Sequence, residues 1–261
     1  MSSSRSVLII LLAVAGFASM VAGGSMIAFG LSHWPGGRVQ IGFDDGKPAR
    51  AEFDGDTPVG LYFMTRFWSG TGSLEKSAWY FAPDGSVYRD LSRGVSQKDL
   101  EEHKGGRGTV SVDGETMTIT WSDAKTSTSK IERDGETFTW DMGIFSPVKP
   151  FDDESDLAGR WEGGESLSGG AGRAMMAKTL ELRSDGTFTW SSVSFLTSEG
   201  SRTTVSAGAQ GGTSGKWDLD DYTLTLTSDD GKTYSGVAFP YHDGSKPRVF
   251  FNGILYKEVG Q

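Results

Sequence analysis

"LRSDGTFTW" (residues 182–190) is the stretch on which the fold turns. Apolar Leu182, Phe188 and Trp190 alternate with polar neighbours about Asp185-Gly186, the pattern of two half-buried strands joined by a tight turn. Extending it to "LELRSDGTFTW" places Leu180, Leu182, Phe188 and Trp190 on one face and Glu181, Arg183, Thr187 and Thr189 on the other. "FAPDGSVYR" (81–89) writes nearly the same hairpin again, with Trp79, Phe81 and Val87 at the inward positions. Arg89 stands where the second hairpin has Trp190, a break expected at a strand end.

The repetition extends well beyond the hairpin. "GTVSVDGETMTITWSD" (108–123) aligns without gaps to "GKWDLDDYTLTLTSDD" (215–230). Gly108/Gly215, Asp113/Asp220, Thr116/Thr223, Thr118/Thr225, Thr120/Thr227 and Asp123/Asp230 are identical, and Val110/Trp217, Val112/Leu219, Met117/Leu224 and Ile119/Leu226 agree in apolar character. Gly60-Leu61-Tyr62 matches Gly159-Arg160-Trp161 ahead of this block, and Gly143-Ile144-Phe145 matches Gly253-Ile254-Leu255 after it. The offset between copies widens along the chain, as insertions in loops would produce. The expected architecture is therefore all-β: two tandem antiparallel barrel- or sandwich-like units over 59–150 and 157–261. The acidic segment 149–156 serves as linker, and a further hairpin over 36–58 turns near Asp45-Gly46. The Thr ladder at 116, 118 and 120 takes the solvent face opposite Met117 and Ile119. The segment 96–104 reads as a short solvated helix starting at Ser96 with a capping-box-like Asp99. The Gly/Ser/Thr-rich 197–215 reads as a loop.

Composition agrees. Gly numbers 37 and apolar residues are 36% of the chain, a balance that suits turn-rich β structure better than a helical bundle. The 34 acidic residues outnumber the 25 basic ones, and no basic stripe offsets them, so nucleic acid is not an expected partner. There is no cysteine, which excludes disulfides, thiolate metal sites and lipid attachment through a cysteine.

Before the β region, after a short tail (1–6), "VLIILLAVAGFASMVAGGSMIAFGL" (7–31) carries no charge. As a helix it would reach roughly 37 Å, enough to cross a hydrocarbon core of about 30 Å. A cleavable signal peptide is the competing reading, with Val21-Ala22-Gly23 as its small-residue site; the length of the apolar run favours an uncleaved anchor. Arg5 and the short tail favour a cytoplasmic N-terminus, which puts the β region in the periplasm or outside the cell. Gly16, Gly23 and Gly30 recur at heptad spacing with Ser19 on the same side, a strip that would let a partner helix approach closely within the membrane.

The order Gly159-Arg160-Trp161, Asp185-Gly186-Thr187-Phe188, Gly215-Lys216-Trp217 and Thr223-Leu224-Thr225-Leu226 resembles small lipocalin-like β-barrels over 157–258. A fainter copy covers 59–148, where Tyr62 and Val110 replace the tryptophans. The resemblance implies that Trp161 lies on a first strand and closes one barrel end, and that a lipophilic ligand could be held. The units are short for a full lipocalin barrel, and small barrels are filled by their own side chains.

Chemistry is sparse. His33, His103 and His242 each stand alone, so no histidine metal centre is expected. Ser73/Lys76 and Ser127/Lys130 satisfy S-x-x-K without partner motifs, and the acidic clusters lack the ligand order of a calcium loop. No catalytic residue, metal or cofactor is assigned. Trp79, Phe81, Phe188 and Trp190 are the candidate ligand-lining residues, with barrel core as the competing role. The expected function is that of a non-catalytic, membrane-anchored interaction module, an accessory subunit of a membrane complex. The alternatives are a tethered lipocalin-like binder of lipophilic molecules and a hydrolase of unrecognised type.

Overall fold

The computed structural model of the chain describes residues 47–91, 93–169, 172–197, 204–205, 211–243 and 246–259. The tail, the apolar segment 7–31 with Gly16, Ser19, Gly23 and Gly30, and residues 36–46 of the expected hairpin lie outside the described residues.

Asp-Gly and Asn-Gly turns between alternating strands give a meander. The first sheet contains β1 (Glu52–Asp54), β2 (Thr57–Trp68), β3 (Ser73–Phe81), β4 (Ser86–Arg89), β5 (Gly106–Asp113) and β6 (Thr116–Trp121). It continues through β7 (Thr126–Lys130), β8 (Glu132–Asp134), β9 (Thr137–Trp140) and β10 (Gly143–Pro147). Each of β2 to β6 pairs with the next, β8 with β9, β9 with β10, and β10 returns to β2. Only Ile131 separates β7 from β8, so the two act as one bent stave and nearly close the barrel. After a 3-10 turn (Glu154–Asp156), the second sheet begins with β11 (Gly159–Gly169), β12 (Gly172–Leu182), β13 (Thr187–Thr197) and β14 (Thr204–Val205). Next come β15 (Gly211–Asp220), β16 (Thr223–Ser228), β17 (Thr233–Asp243), β18 (Lys246–Phe251) and β19 (Ile254–Glu258). Here β12 pairs with both β11 and β13, so this barrel is closed. Setting β1 and β14 aside, each described barrel has eight staves in up-and-down order.

The two units correspond bond for bond. Gly85 N donates to Ala82 O and Gly186 N to Arg183 O in the two Asp-Gly turns. Val110 N donates to Gly85 O and Trp217 N to Gly186 O, while Ile131 N donates to Glu115 O and Ala238 N to Tyr222 O. Lys125 Nζ sits 2.7 Å from Asp123 Oδ2, and Lys232 Nζ 2.6 Å from Asp230 Oδ2. Thr118 meets Thr128, and Thr225 meets Ser235, both at 3.1 Å on the outer face. A Cβ on Gly108 would lie 2.6 Å from Thr120 O, and one on Gly215 would collide with Thr227 O, so both copies carry glycine where neighbouring backbones come close.

Three expectations need correction. Gly143 does not correspond to Gly253. Val148 N donates to Leu61 O and Val259 N to Arg160 O, which aligns Gly143 with Ile254 and Phe145 with the interior Tyr256. Gly253 (φ 82°) belongs to the turn before β19, and a one-residue slip in a strand reverses every facing. Within the expected 36–58 hairpin, Glu52–Asp54 forms a strand that pairs with Thr57–Val59 across Gly55-Asp56, and the turn near Asp45-Gly46 lies outside the described residues. Within 197–215, Thr204–Val205 pairs with β13, and Gly211 to Gly215 belong to β15, so glycine content concealed a strand paired to β13. The helix α1 (Gln97–Glu101) is capped as expected, with Asp99 N donating to Ser96 Oγ at 3.2 Å, but it is not merely solvated. Its Leu100 is fully buried. A helix this short needs one apolar residue to dock, too few to leave a periodic signal.

Inside the first barrel lie Tyr62, Met64, Trp79, Phe81, Phe138, Trp140 and Phe145, with Phe138 and Phe145 stacked at 4.6 Å. The second interior is built from Trp161, Leu180, Leu182, Phe188, Leu226 and Tyr256 among others. A third core lies between the barrels. Leu61, Phe63, Ala78, Tyr80 and Tyr88, on the outer faces of β2–β4, pack with Tyr222, Val237, Phe239 and Phe250, joined by Leu100 and Val148. The Phe63 ring lies 5.7 Å from Phe239, 5.0 Å from Tyr241 and 5.3 Å from Phe250.

The copies diverge where they meet. Leu61 and Phe63 correspond to Arg160 and Glu162 of the second barrel, while Val237 and Phe239 correspond to Lys130 and Glu132 of the first. At these four pairs of positions the outer residue is apolar where the other barrel covers it and charged where water does.

Candidate functional site

The outer face of β10, β2 and β3 can be followed row by row from the seam to the barrel end. Val148, Leu61 and Tyr80 lie in the seam, as do Phe63 and Ala78 in the next row. Beyond them Ile144 pairs with Thr65, and Thr65 with Lys76. In the last row Phe67 pairs with Leu74, and continuing the β10 register by one residue brings Met142 alongside. Here the cover stops. Phe67 is 62% exposed, Leu74 53%, Met142 71% and Ile144 49%. Trp68, at the strand end beside them, is 40% exposed. Phe67 and Leu74 correspond in the second barrel to positions on β11 and β12; Ser166 stands in place of Phe67.

Behind this row sits a charged support. The Arg66 guanidinium lies 5.4 Å from the Trp68 ring and 3.3 Å from Asp141 Oδ2. Trp68 Nε1 donates to Glu75 Oε2 at 2.9 Å. The indole is thereby held with its N–H satisfied, which orients an amphipathic ring at the barrel end.

A second polar cluster ties the chain entering the first barrel to the second barrel. Ala49 N donates to Tyr80 Oη at 3.1 Å, Arg50 Nη1 meets Asp221 Oδ1 at 3.1 Å, and Tyr222 Oη donates to Val148 O at 3.0 Å. Asp221 occupies a left-handed turn position (φ 53°) where the first copy has Gly114, and its side chain is 9% exposed. Its Oδ2 is buried without a hydrogen-bond partner. Burial raises the Asp221 carboxyl above its ordinary 3.8, outweighing the opposing pull of Arg50, and burial pushes the Tyr222 hydroxyl up to about 12. The folded chain therefore holds the Asp221 proton more firmly than the unfolded chain does. The resulting stability is fully present below pH 3.8 and is lost as pH rises through the raised value. Relative to Asp221→Asn, the parent chain should thus lose stability across that window. Thermal midpoints of both proteins between about pH 3 and about pH 8 test this, and a constant difference would refute it.

The candidate ligand-lining residues are placed as follows. Trp79, Phe81 and Phe188 are buried in the barrel interiors, packed against neighbouring side chains. Trp190 is half-buried at the edge of the second interior, 5.9 Å from the exposed Tyr234 ring, and its Nε1 is buried without a partner. Arg89 ends β4 and lies over Trp121 at 4.4 Å. Ser127 accepts a hydrogen bond from Trp121 Nε1, and Lys130 is held between Glu115 and Glu132, so that S-x-x-K pair is committed structurally. A surface concavity of about 390 Å³ at Asp56, Glu115, Lys130, Glu132 and Arg133 is lined by charges already paired with one another. Among the described residues no three His, Asp or Glu side chains converge, and no helix is long and apolar enough to cross a membrane. No protein-family model, curated protein or solved structure matches this chain.

The exposed row was missed in the sequence. Phe67 faces the same way as Leu61 and Phe63, and strand parity says which way a side chain points, not what covers it.

Proposed function

We propose that this chain is a membrane-tethered, non-catalytic interaction module, an accessory subunit of a membrane protein complex. It would be held by residues 7–31, with the β region outside the cytoplasm. The observation that supports this reading best is the contrast between barrel interiors whose described aromatic and aliphatic residues pack on one another and an apolar outer row left bare. Such a body acts through its surface rather than through cargo or chemistry.

Purification of the full chain from native membranes in mild detergent is the test, with a stoichiometric protein partner as the expected result. Replacing Gly16, Gly23 and Gly30 with Leu should remove close helix contact, a loss on the order of 1–3 kcal/mol, and so reduce co-purification about fivefold or more. A chain that elutes alone, or a triple variant that keeps its partner, would overturn the reading.

A second reading is a tethered lipocalin-like binder of lipophilic molecules. It is favoured by the eight-stave up-and-down order, which lipocalins share, and by the unpartnered Trp190 indole N–H beside Tyr234. The same purification separates the two, because a co-eluting lipophilic small molecule in place of a protein would support the binder.

A further inference from the structure

We infer that the bare row Met142–Phe67–Leu74, with Ile144 and Trp68, is a membrane-contacting rim that seats the barrel end on the bilayer surface. This deepens the proposal above and rests on the tether it assumes.

Four observations carry the inference. Apolar residues on the outer faces of β2–β4 and β17–β18 are otherwise covered by the opposite barrel, so an uncovered apolar row on the same face, beyond the Thr65–Lys76 pair, calls for another cover. The row lies at a strand end, beside the 69–72 turn and the Asp141-Met142 turn, where it can enter an interface without burying unpaired strand backbone. Its chemistry is that of the headgroup boundary. Apolar tips are backed by a Trp whose N–H is satisfied, and Arg66 and Lys76 are offset by Glu75 and Asp141, so the rim is locally neutral in a chain of net charge -9. Neutrality suits zwitterionic lipid and avoids the repulsion the acidic remainder would meet at an anionic surface.

The last observation is reach. Residues 32–46 separate the uncharged segment from Lys47 and extend to at most about 50 Å. The chain enters over Gly60, at the far end of β2 from Phe67, a distance of about 25 Å along the strand. The tether is long enough to let the rim touch the bilayer that holds it, and short enough to keep it close.

The absence of cysteine allows a direct test. Single cysteines at Leu74→Cys, Met142→Cys, Thr120→Cys and Ser19→Cys are labelled with an environment-sensitive fluorophore. Each full-length protein is then reconstituted into phosphatidylcholine vesicles with and without acyl-chain nitroxide lipid. Thr120 is an exposed position on β6, across the barrel from β2, and serves as the aqueous control. Labels at 74 and 142 should be blue-shifted and quenched about twofold by nitroxide lipid, with little change at 120. A blue shift without lipid quenching would mean that a protein surface or a second copy covers the rim, and would overturn the inference. An aqueous spectrum at 74 and 142 would overturn it as well. The label at 19 distinguishes the two levels: quenching there but not at the rim defeats the rim alone, whereas no quenching at 19 defeats the tether.

Discussion

Phe63→Ala should lower the stability of the folded chain by about 3–5 kcal/mol, the usual cost of emptying a buried Phe site. Its side chain is 1% exposed and touches three aromatic rings of the second barrel. The loss therefore falls on the seam. For a chain of this size that corresponds to a fall in thermal midpoint of roughly 10 °C. Phe67→Ala is the matched control: same strand, same face, same chemistry, but 62% exposed, so a change within about 0.5 kcal/mol is expected. Calorimetry or chemical denaturation of the pair decides the matter. Equal small losses would mean that the barrels do not pack through this wall. A second, separate unfolding transition in Phe63→Ala alone would show the barrels uncoupled while each remains folded.

Gly60→Ala should be nearly as damaging, for a different reason. Gly60 has φ 96°, a backbone conformation that L side chains rarely adopt, and a Cβ there would collide with the backbone of Arg50 and lie 2.5 Å from Ala51 N. The collision is with main chain, which cannot rotate away. The entering segment would have to lift, drawing Ala49 from Tyr80 Oη and Arg50 from Asp221. Backbone strain of about 1–2 kcal/mol and overpacking of about 1–3 kcal/mol give an expected loss of about 2–5 kcal/mol. Gly55→Ala isolates the first contribution, because Gly55 also has positive φ (58°) but nothing within 4 Å of its Cβ position. A loss of about 1 kcal/mol is expected there. If the two variants denature alike, the segment over Gly60 is not seated as described. Faster backbone hydrogen exchange at Ala49 in Gly60→Ala, unchanged in Gly55→Ala, would locate the effect.

The hairpins about Asp84-Gly85 and Asp185-Gly186, the matched Thr strands and the inward sets Trp79/Phe81/Val87 and Leu180/Leu182/Phe188 were legible in the sequence. Turn chemistry and period-two alternation are local properties of the backbone, and two copies of each signal reinforce one another. The alignment slipped at Gly253 because a glycine in a turn and a glycine in a strand look alike in sequence. Leu100 and the strand hidden in 197–215 escaped because a single docking residue and a Gly-rich edge carry no period.

What the sequence determined by itself is the all-β repeat and the inward face of most strands, since the pleat sends successive side chains to opposite sides whatever surrounds them. The tertiary structure alone decided the fate of the outward face. Leu61, Phe63 and Phe67 are indistinguishable by alternation, yet two are sealed against Val237, Phe239 and Phe250 while the third stands in the open. Asp221 reads as a turn residue and becomes a nearly buried clasp on Arg50. Coverage is a property of two surfaces meeting, and the residues that meet lie far apart along the chain, so no window of sequence contains it.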